Sequence, residues 1–344
     1  MQAARLHDPG HLEIAQVLDP ACPQDGVLVR VQACGLCAAD AKMVSKGHPA
    51  LCYPRIPGHE IAGEILESTR QEYPPGHKVQ VAPGLRCGTC AYCLRGDDHH
   101  CLQREIFGFS RDGGFAEYIA VPLGGPLQGT VHLLPPEVPP ELATLAEPLA
   151  CCLNAQAKLK IAPSDNVLIM GAGPLGILHG LAAKHAAARS VGLCDPSEER
   201  RQTAARLGLG RVLHPVDPDF ARMIRSWTEG RGIDVLILAC PEAAPEEPIL
   251  ELMARGGRIS LFSGPSSAWA RQEISMTFVH YMELELSGAY GCRARDNQRA
   301  IQLLSIQPAT FSRLISARAS FASLAQDLER IGHRQGLKTV LSLA

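Results

Sequence analysis

The sequence has no run of 18 or more consecutive apolar residues, so no transmembrane helix is expected. Aromatic residues make up only 5% of it, too few for the stacking platforms that hold single-stranded nucleic acid. Charge is nearly balanced at 33 Lys and Arg against 35 Asp and Glu, which offers no broad attraction for nucleic acid or an anionic membrane. The opening, MQAARLHDPGHLEIAQV, lacks the apolar core of a signal peptide. These absences lead us to expect a cytoplasmic protein with no membrane partner and no nucleic-acid partner.

What is there is an ordinary globular composition, 46% hydrophobic and 20% charged, over 344 residues. That length suggests about two domains. Thirteen cysteines stand out. In a reducing compartment they are thiols or metal ligands, and an odd count fits a disulfide framework poorly.

Residues 1–135 read as short strands, among them 27–31 (VLVRV), 61–66 (IAGEIL) and 115–121 (FAEYIAV), broken by glycine and proline turns. Such segments close into small barrels or sandwiches. Residues 139–158 turn helical. From Asn166 the rhythm becomes strand, helix, strand: 167–170 (VLIM), a helix to about 187, 190–194 (SVGLC), a helix over 198–207 and a strand at 211–214. Further strands follow at 233–238, 258–262 and 283–290. This alternation predicts βαβ units on a parallel sheet, an α/β architecture. The tail, 291–344, holds helical segments and a strand-like 337–343.

Gly171-Ala172-Gly173-Pro174-Leu175-Gly176 lies between the first of these strands and its helix, and Asp195 closes the next strand 19 residues later. Gly171 permits a tight turn, Gly173 lets backbone approach a pyrophosphate, and Gly176 lets helix and strand pack closely. The helix N-terminus opened by Pro174 and Leu175 offers free N–H groups to phosphates. A carboxylate at Asp195 would accept from ribose hydroxyls and repel a 2′-phosphate, favouring NAD. Arg200 and Arg201 are expected on the solvated outer face of the next helix.

Cys87, Cys90, Cys93 and Cys101 form C-x2-C-x2-C-x7-C. Four thiolates so close in sequence can wrap a tetrahedral ion and leave no open position, as at a structural zinc. The spacing is not that of a ferredoxin. His99 and His100 flank the run and are expected to be solvated loop residues. A second set is scattered: Cys37, His59 with Glu60, and Glu147. Thiolate, imidazole and carboxylate around an open position make a catalytic zinc, although a lone His beside a Glu is commonly a surface or capping pair. Cys194 and Cys240 close apolar strands and read as small buried hydrophobes. Cys34, Cys52 and Cys292 show no partner pattern.

The segments CGLCAAD, PGHEIAGEI, the four-cysteine run, DGGFAEY, EPL and GAGPLG occur in the order seen in zinc-dependent medium-chain dehydrogenases. The chain resembles that family over nearly its whole length, and most of all its polyol branch of sorbitol and threonine dehydrogenases. The resemblance implies a GroES-like β-rich catalytic domain over 1–149, a Rossmann NAD-binding domain over 150–290, and a return of 291–344 to the first. It implies one catalytic zinc on Cys37, His59 and Glu147, with Glu60 beside it or exchanging with it. Cys151 is a rival third ligand. It implies a structural zinc on Cys87, Cys90, Cys93 and Cys101, and a homodimer or homotetramer joined through the edge strand at 283–290. The activity implied is hydride transfer between a small secondary alcohol (a polyol, sugar alcohol or cyclic alcohol), or its ketone, and NAD, with zinc as Lewis acid.

Two family features are missing. A hydroxyl residue that normally follows the zinc cysteine by two is Ala39 here, and the histidine that follows it by five is Lys42. Asp40 is kept and is expected to organise the site. The proton is left to water, the ribose hydroxyl or Lys42. Two other readings remain. One is a dehydrogenase for an alcohol with a phosphate or acyl-CoA handle, with Arg104, Arg111, Arg293 and Arg295 as cleft candidates. The other is a non-catalytic zinc protein.

Overall fold

The computed structural model describes residues 1–124, 129–264, 270–271 and 273–343. It divides into two compact units, Met1–Ala150 with Cys292–Ala344, and Cys151–Gly291.

The unit Cys151–Gly291 is built on six parallel strands in the order Arg211–Leu213, Ser190–Cys194, Asn166–Met170, Ile233–Leu238, Met253–Leu261 and Glu285–Gly288. Numbered along the chain this is 3-2-1-4-5-6, the Rossmann order, and the strand order reverses beside Asn166–Met170. Val167, Leu168 and Ile169 are fully buried. A strand covered on both faces must be apolar throughout, which is why this one reads as an unbroken run. Leu168, Ile224, Leu236 and Ile259 share one core. The expected strand at 283–290 is shorter, Glu285–Gly288, and the one at 258–262 starts earlier, at Met253.

The other unit is a GroES-like β-structure organised by the long strand Gly26–Leu36. Three partners pair with it antiparallel: Glu60–Ser68, Tyr118–Pro122 and, from the tail, Lys338–Ser342. The sheet continues through Lys78–Val81 to Val131–Leu133, and a hairpin of Gln2–Asp8 and His11–Gln16 stands apart. Alternate residues of the long strand, Val27, Val29 and Val31, point into a core with Ile61, Ile65 and Phe115. The helical stretch expected over 139–158 is two helices, Pro140–Ala143 and Ala146–Leu159. No helix among the described residues is long and apolar enough to cross a membrane.

Candidate active site and metal centres

Helix Ala38–Lys46 starts directly after Cys37, and Asp40 sits in its first turn. The Asp40 carboxylate accepts from the Cys37 amide at 3.0 Å, and from the Gly58 amide at 3.3 Å. It also holds His59 Nδ1 at 3.1 Å. One fully buried carboxylate therefore ties the Cys37 turn to the His59 loop. A carboxylate on one ring nitrogen fixes the other, Nε2, for a metal. Burial works against a charged imidazole here, but Asp40 and Cys37 outweigh it and hold the His59 pKa well above its ordinary value.

Ligand atoms of Cys37, His59 and Glu60 lie within 4.8 Å of one another. Glu60 opens its strand opposite Gly35, where a Cβ would collide with the Glu60 carboxylate. Lys338, on the tail strand, donates to Glu60, and both side chains are buried. Burial pushes the Glu60 pKa up against the pull of the Lys338 charge, while Glu60 raises that of Lys338 over the opposite effect of burial. Glu147 is close enough for its charge to act on both. It stands outside the tight group of three, within 4.8 Å of the Cys292 thiol. Cys151 is one helical turn after Glu147. A thiolate, an imidazole and the Glu60 carboxylate gathered within 4.8 Å of one another fit a zinc ion. On the same helix as Asp40, Ala39 is half-buried and Lys42 is exposed.

The four-cysteine loop gathers as its spacing predicts. The sulfurs of Cys87, Cys90, Cys93 and Cys101 lie within 4.8 Å of one another. Cys90–Cys93 is 3.6 Å, Cys87–Cys101 3.5 Å and Cys87–Cys93 4.0 Å. Four sulfurs at about 2.3 Å from a central zinc would stand about 3.8 Å apart, so the loop already has the size of that tetrahedron. Backbone amides of Cys87, Cys90 and Gln103 point at the sulfurs. Amide hydrogen bonds from Thr89 and Cys90 pull the Cys87 pKa down to about 6. The lobe is fastened by Asp98, which accepts from the Ala294 amide at 3.1 Å and faces Arg86 at 3.4 Å. The sequence offered no sign of that anchor, because Ala294 is 196 residues away. His99 is not the solvated loop residue expected. It is buried, with its ring 3.9 Å from that of His100, because the short helix Asp98–His100 turns it inward.

In the other unit, Gly171 has φ +108°, and a Cβ at Gly176 would collide with the Gly171 carbonyl. Pro174 opens the helix Pro174–His185, where its missing N–H costs nothing. Asp195 is buried and closes its strand. Its Oδ2 accepts from the Ala172 amide at 2.8 Å, and Oδ1 from the Ser197 amide at 2.8 Å. Each oxygen keeps a lone pair for a further donor. Arg200 and Arg201 correct the expectation that they face outward. Arg201 donates to the Asp195 and Pro196 carbonyls at 2.7 and 2.8 Å. Arg200 Nη1 lies 3.9 Å from the Asp195 carboxylate and flanks Gly173. The helix Glu198–Arg206 begins so soon after the strand that its first turn folds back over the strand end.

Residues 23–128 match the alcohol dehydrogenase GroES-like domain family, and residues 174–305 the zinc-binding dehydrogenase family. The chain is 31% identical to D-altritol 5-dehydrogenase of Agrobacterium fabrum over 94% of each chain. It is 34% identical to L-threonine 3-dehydrogenase of Pyrococcus furiosus over 72% of each. Among solved structures, galactitol-1-phosphate dehydrogenase of Escherichia coli superposes with a TM-score of 0.87 at 26% identity, covering 100% of both chains. With the fold, the donor groups and these relatives together, the chain belongs to the zinc-dependent medium-chain dehydrogenases, in their polyol branch.

Proposed function

We propose that the protein oxidises a secondary hydroxyl of a polyol, sugar alcohol or cyclic alcohol with NAD, and reduces the matching ketone. The observation that carries this reading is the group Cys37, His59 and Glu60 hung on Asp40, with Glu147 beside it. The names of two relatives, a 3-dehydrogenase of threonine and a 5-dehydrogenase of altritol, specify interior carbons, which bear secondary hydroxyls.

When bound, zinc supplies the Lewis acidity that eases loss of the alcohol proton, and NAD supplies the hydride acceptor. Cys37 and His59 would hold the catalytic ion, with Glu60 and Glu147 as its carboxylate donors. Asp40 keeps the imidazole oriented, and Lys338 draws on Glu60 from the opposite side. Cys87, Cys90, Cys93 and Cys101 would hold the second ion and stiffen their lobe. The loop Gly171–Gly176 would receive the pyrophosphate and Asp195 the adenosine ribose. Ala39 has no hydroxyl to pass a proton, so the proton leaves by water, by the ribose or by Lys42 at the exposed end of the route. Among the described residues the strand Glu285–Gly288 is the last of its sheet, and that edge suits pairing with a second copy in a homodimer or homotetramer.

A panel of polyols and cyclic alcohols with NAD, followed at the reduced-nicotinamide absorbance, tests the reading. Turnover on a secondary alcohol that vanishes in Cys37→Ser is expected. A zinc-loaded protein that oxidises none of them would sink it. The galactitol-1-phosphate relative favours a second reading, a phosphate-bearing alcohol. Against it, three of the four arginines named for that role are engaged. Arg293 is doubly bonded to Asp296, Arg111 is bonded to Glu105, and Arg104 donates to the His99 carbonyl. Paired phosphorylated and free polyols separate the two.

A further inference from the structure

A cleft of about 710 Å³ opens in the first unit between the N-terminal hairpin and the loops at 54–56 and 107–113. This is a small-molecule volume. None of its lining residues belongs to any of the cysteine-containing donor groups. Three guanidinium groups line it, those of Arg5, Arg55 and Arg111, against one carboxylate, Asp112. Its inner wall is apolar, with Ile56 and Phe107 both buried.

The arginines are not equally committed. Arg111 is bonded to Glu105 at 2.8 Å. Arg55 gives one Nη1 bond to Asp112 at 2.9 Å, while its Nε is buried with no acceptor. A guanidinium has five N–H donors, so one ion pair leaves donors for a second acid group. Arg5 makes no ion pair among the described residues, and Glu13, its cross-strand neighbour, is taken by His7 at 2.9 Å. The cleft therefore presents an excess of positive charge and an apolar shelf.

We propose that this cleft binds a small organic anion, its phosphate or carboxylate held by Arg5 and Arg55 and its carbon body lying on Ile56 and Phe107. Guanidinium forks match both acid groups with paired hydrogen bonds. The bound anion would pair with Arg5 and with the Arg55 guanidinium, and it would compete with Asp112 for Arg55.

The test is calorimetric titration of the full-length, zinc-loaded protein at fixed ionic strength, with saturating NADH to occupy the dinucleotide site. Phenyl phosphate and benzoate are the two probes, so that the preferred acid group is read directly. Saturable binding of at least one probe is expected, weakened at least about tenfold by Arg5→Gln, the weight of one charge-assisted hydrogen bond. Asp112→Asn should tighten it by about threefold, because it removes the competing charge and keeps an oxygen for the Ile56 amide. The melting temperature of each variant checks that it is folded, and Asp112→Asn keeps the test open should Arg5→Gln fold poorly. No saturable binding of either probe by the wild type overturns the proposal. So does equal affinity in wild type and a folded Arg5→Gln, or binding weakened by Asp112→Asn.

Discussion

Lys338 and Glu60 form a buried ion pair across 278 residues of sequence. The tail strand carrying Lys338 pairs with the far end of Gly26–Leu36, where Glu60 lies opposite Gly35. Removing one partner of a buried pair leaves an uncompensated charge and costs about 3–5 kcal/mol. Lys338→Met should therefore lower stability by about that much in urea melts. The double variant Lys338→Met with Glu60→Gln should recover most of the loss. A double variant no more stable than the single one would mean that the lysine contributes by packing alone.

Asp40 holds Cys37 and His59 together, so Asp40→Asn should weaken both metal retention and turnover. Loss of such an outer carboxylate typically costs about 10–100-fold in metal affinity or activity. Competition with a chelator, read against turnover on one good substrate, checks this. Unchanged zinc affinity would remove Asp40 from the positioning role.

The two donor groups should respond differently to mutation. Cys90→Ser should cost stability and one zinc per chain, because a closed tetrahedral site contributes folding energy directly. Cys37→Ser should stay folded and lose turnover, since Asp40 still ties the two loops through backbone amides. Zinc content and melting temperature of both variants decide the matter. Equal destabilisation would contradict the division.

Asp195 should select the cofactor. Asp195→Gly removes the charge that repels a 2′-phosphate and leaves Arg200 beside the space it vacates. The ratio of kcat/KM for NADP over NAD should rise at least about tenfold, as expected when a repulsive charge of more than 1.4 kcal/mol is lost. A wild type that already prefers NADP would overturn the assignment.

His179 links stability to pH. It is fully buried against Phe262, with Gln156 on its Nδ1 at 3.2 Å, and burial pushes its pKa down to about 3. An unfolded histidine titrates near 6.5. Between about 3 and 6.5 the unfolded chain therefore holds a proton that the folded chain does not. Stability is full above that window and falls as pH drops through it, by up to about 1.4 kcal/mol per pH unit from this residue. Urea melts at pH 7 and pH 5 should show a steeper loss in wild type than in His179→Gln. Parallel losses would show that other groups dominate.

Local features of this protein were legible in its sequence. The four cysteines span residues 87–101, so loop geometry alone brings them together. The glycine loop is likewise a single strand-to-helix turn, and each glycine has a steric reason that holds wherever the turn occurs. The parallel sheet showed itself because strands buried on both faces are written as apolar runs. Tertiary structure alone decided what depends on distant chain segments meeting. Lys338 reads as the one charged residue of its strand, and only the pairing of the tail with Gly26–Leu36 delivers it to Glu60. His99 and Arg200 read as solvated by residue type, yet a tight turn buries the first and a short strand-to-helix connection folds the second back on Asp195. The Arg5 and Arg55 cleft exists only because Gln2–Asp8 bridges to both Arg55 and Ala116, contacts that no pattern of residue spacing encodes. Spacing reports what a few turns of backbone dictate, whereas side chains far apart in sequence meet only where packing and strand pairing put them.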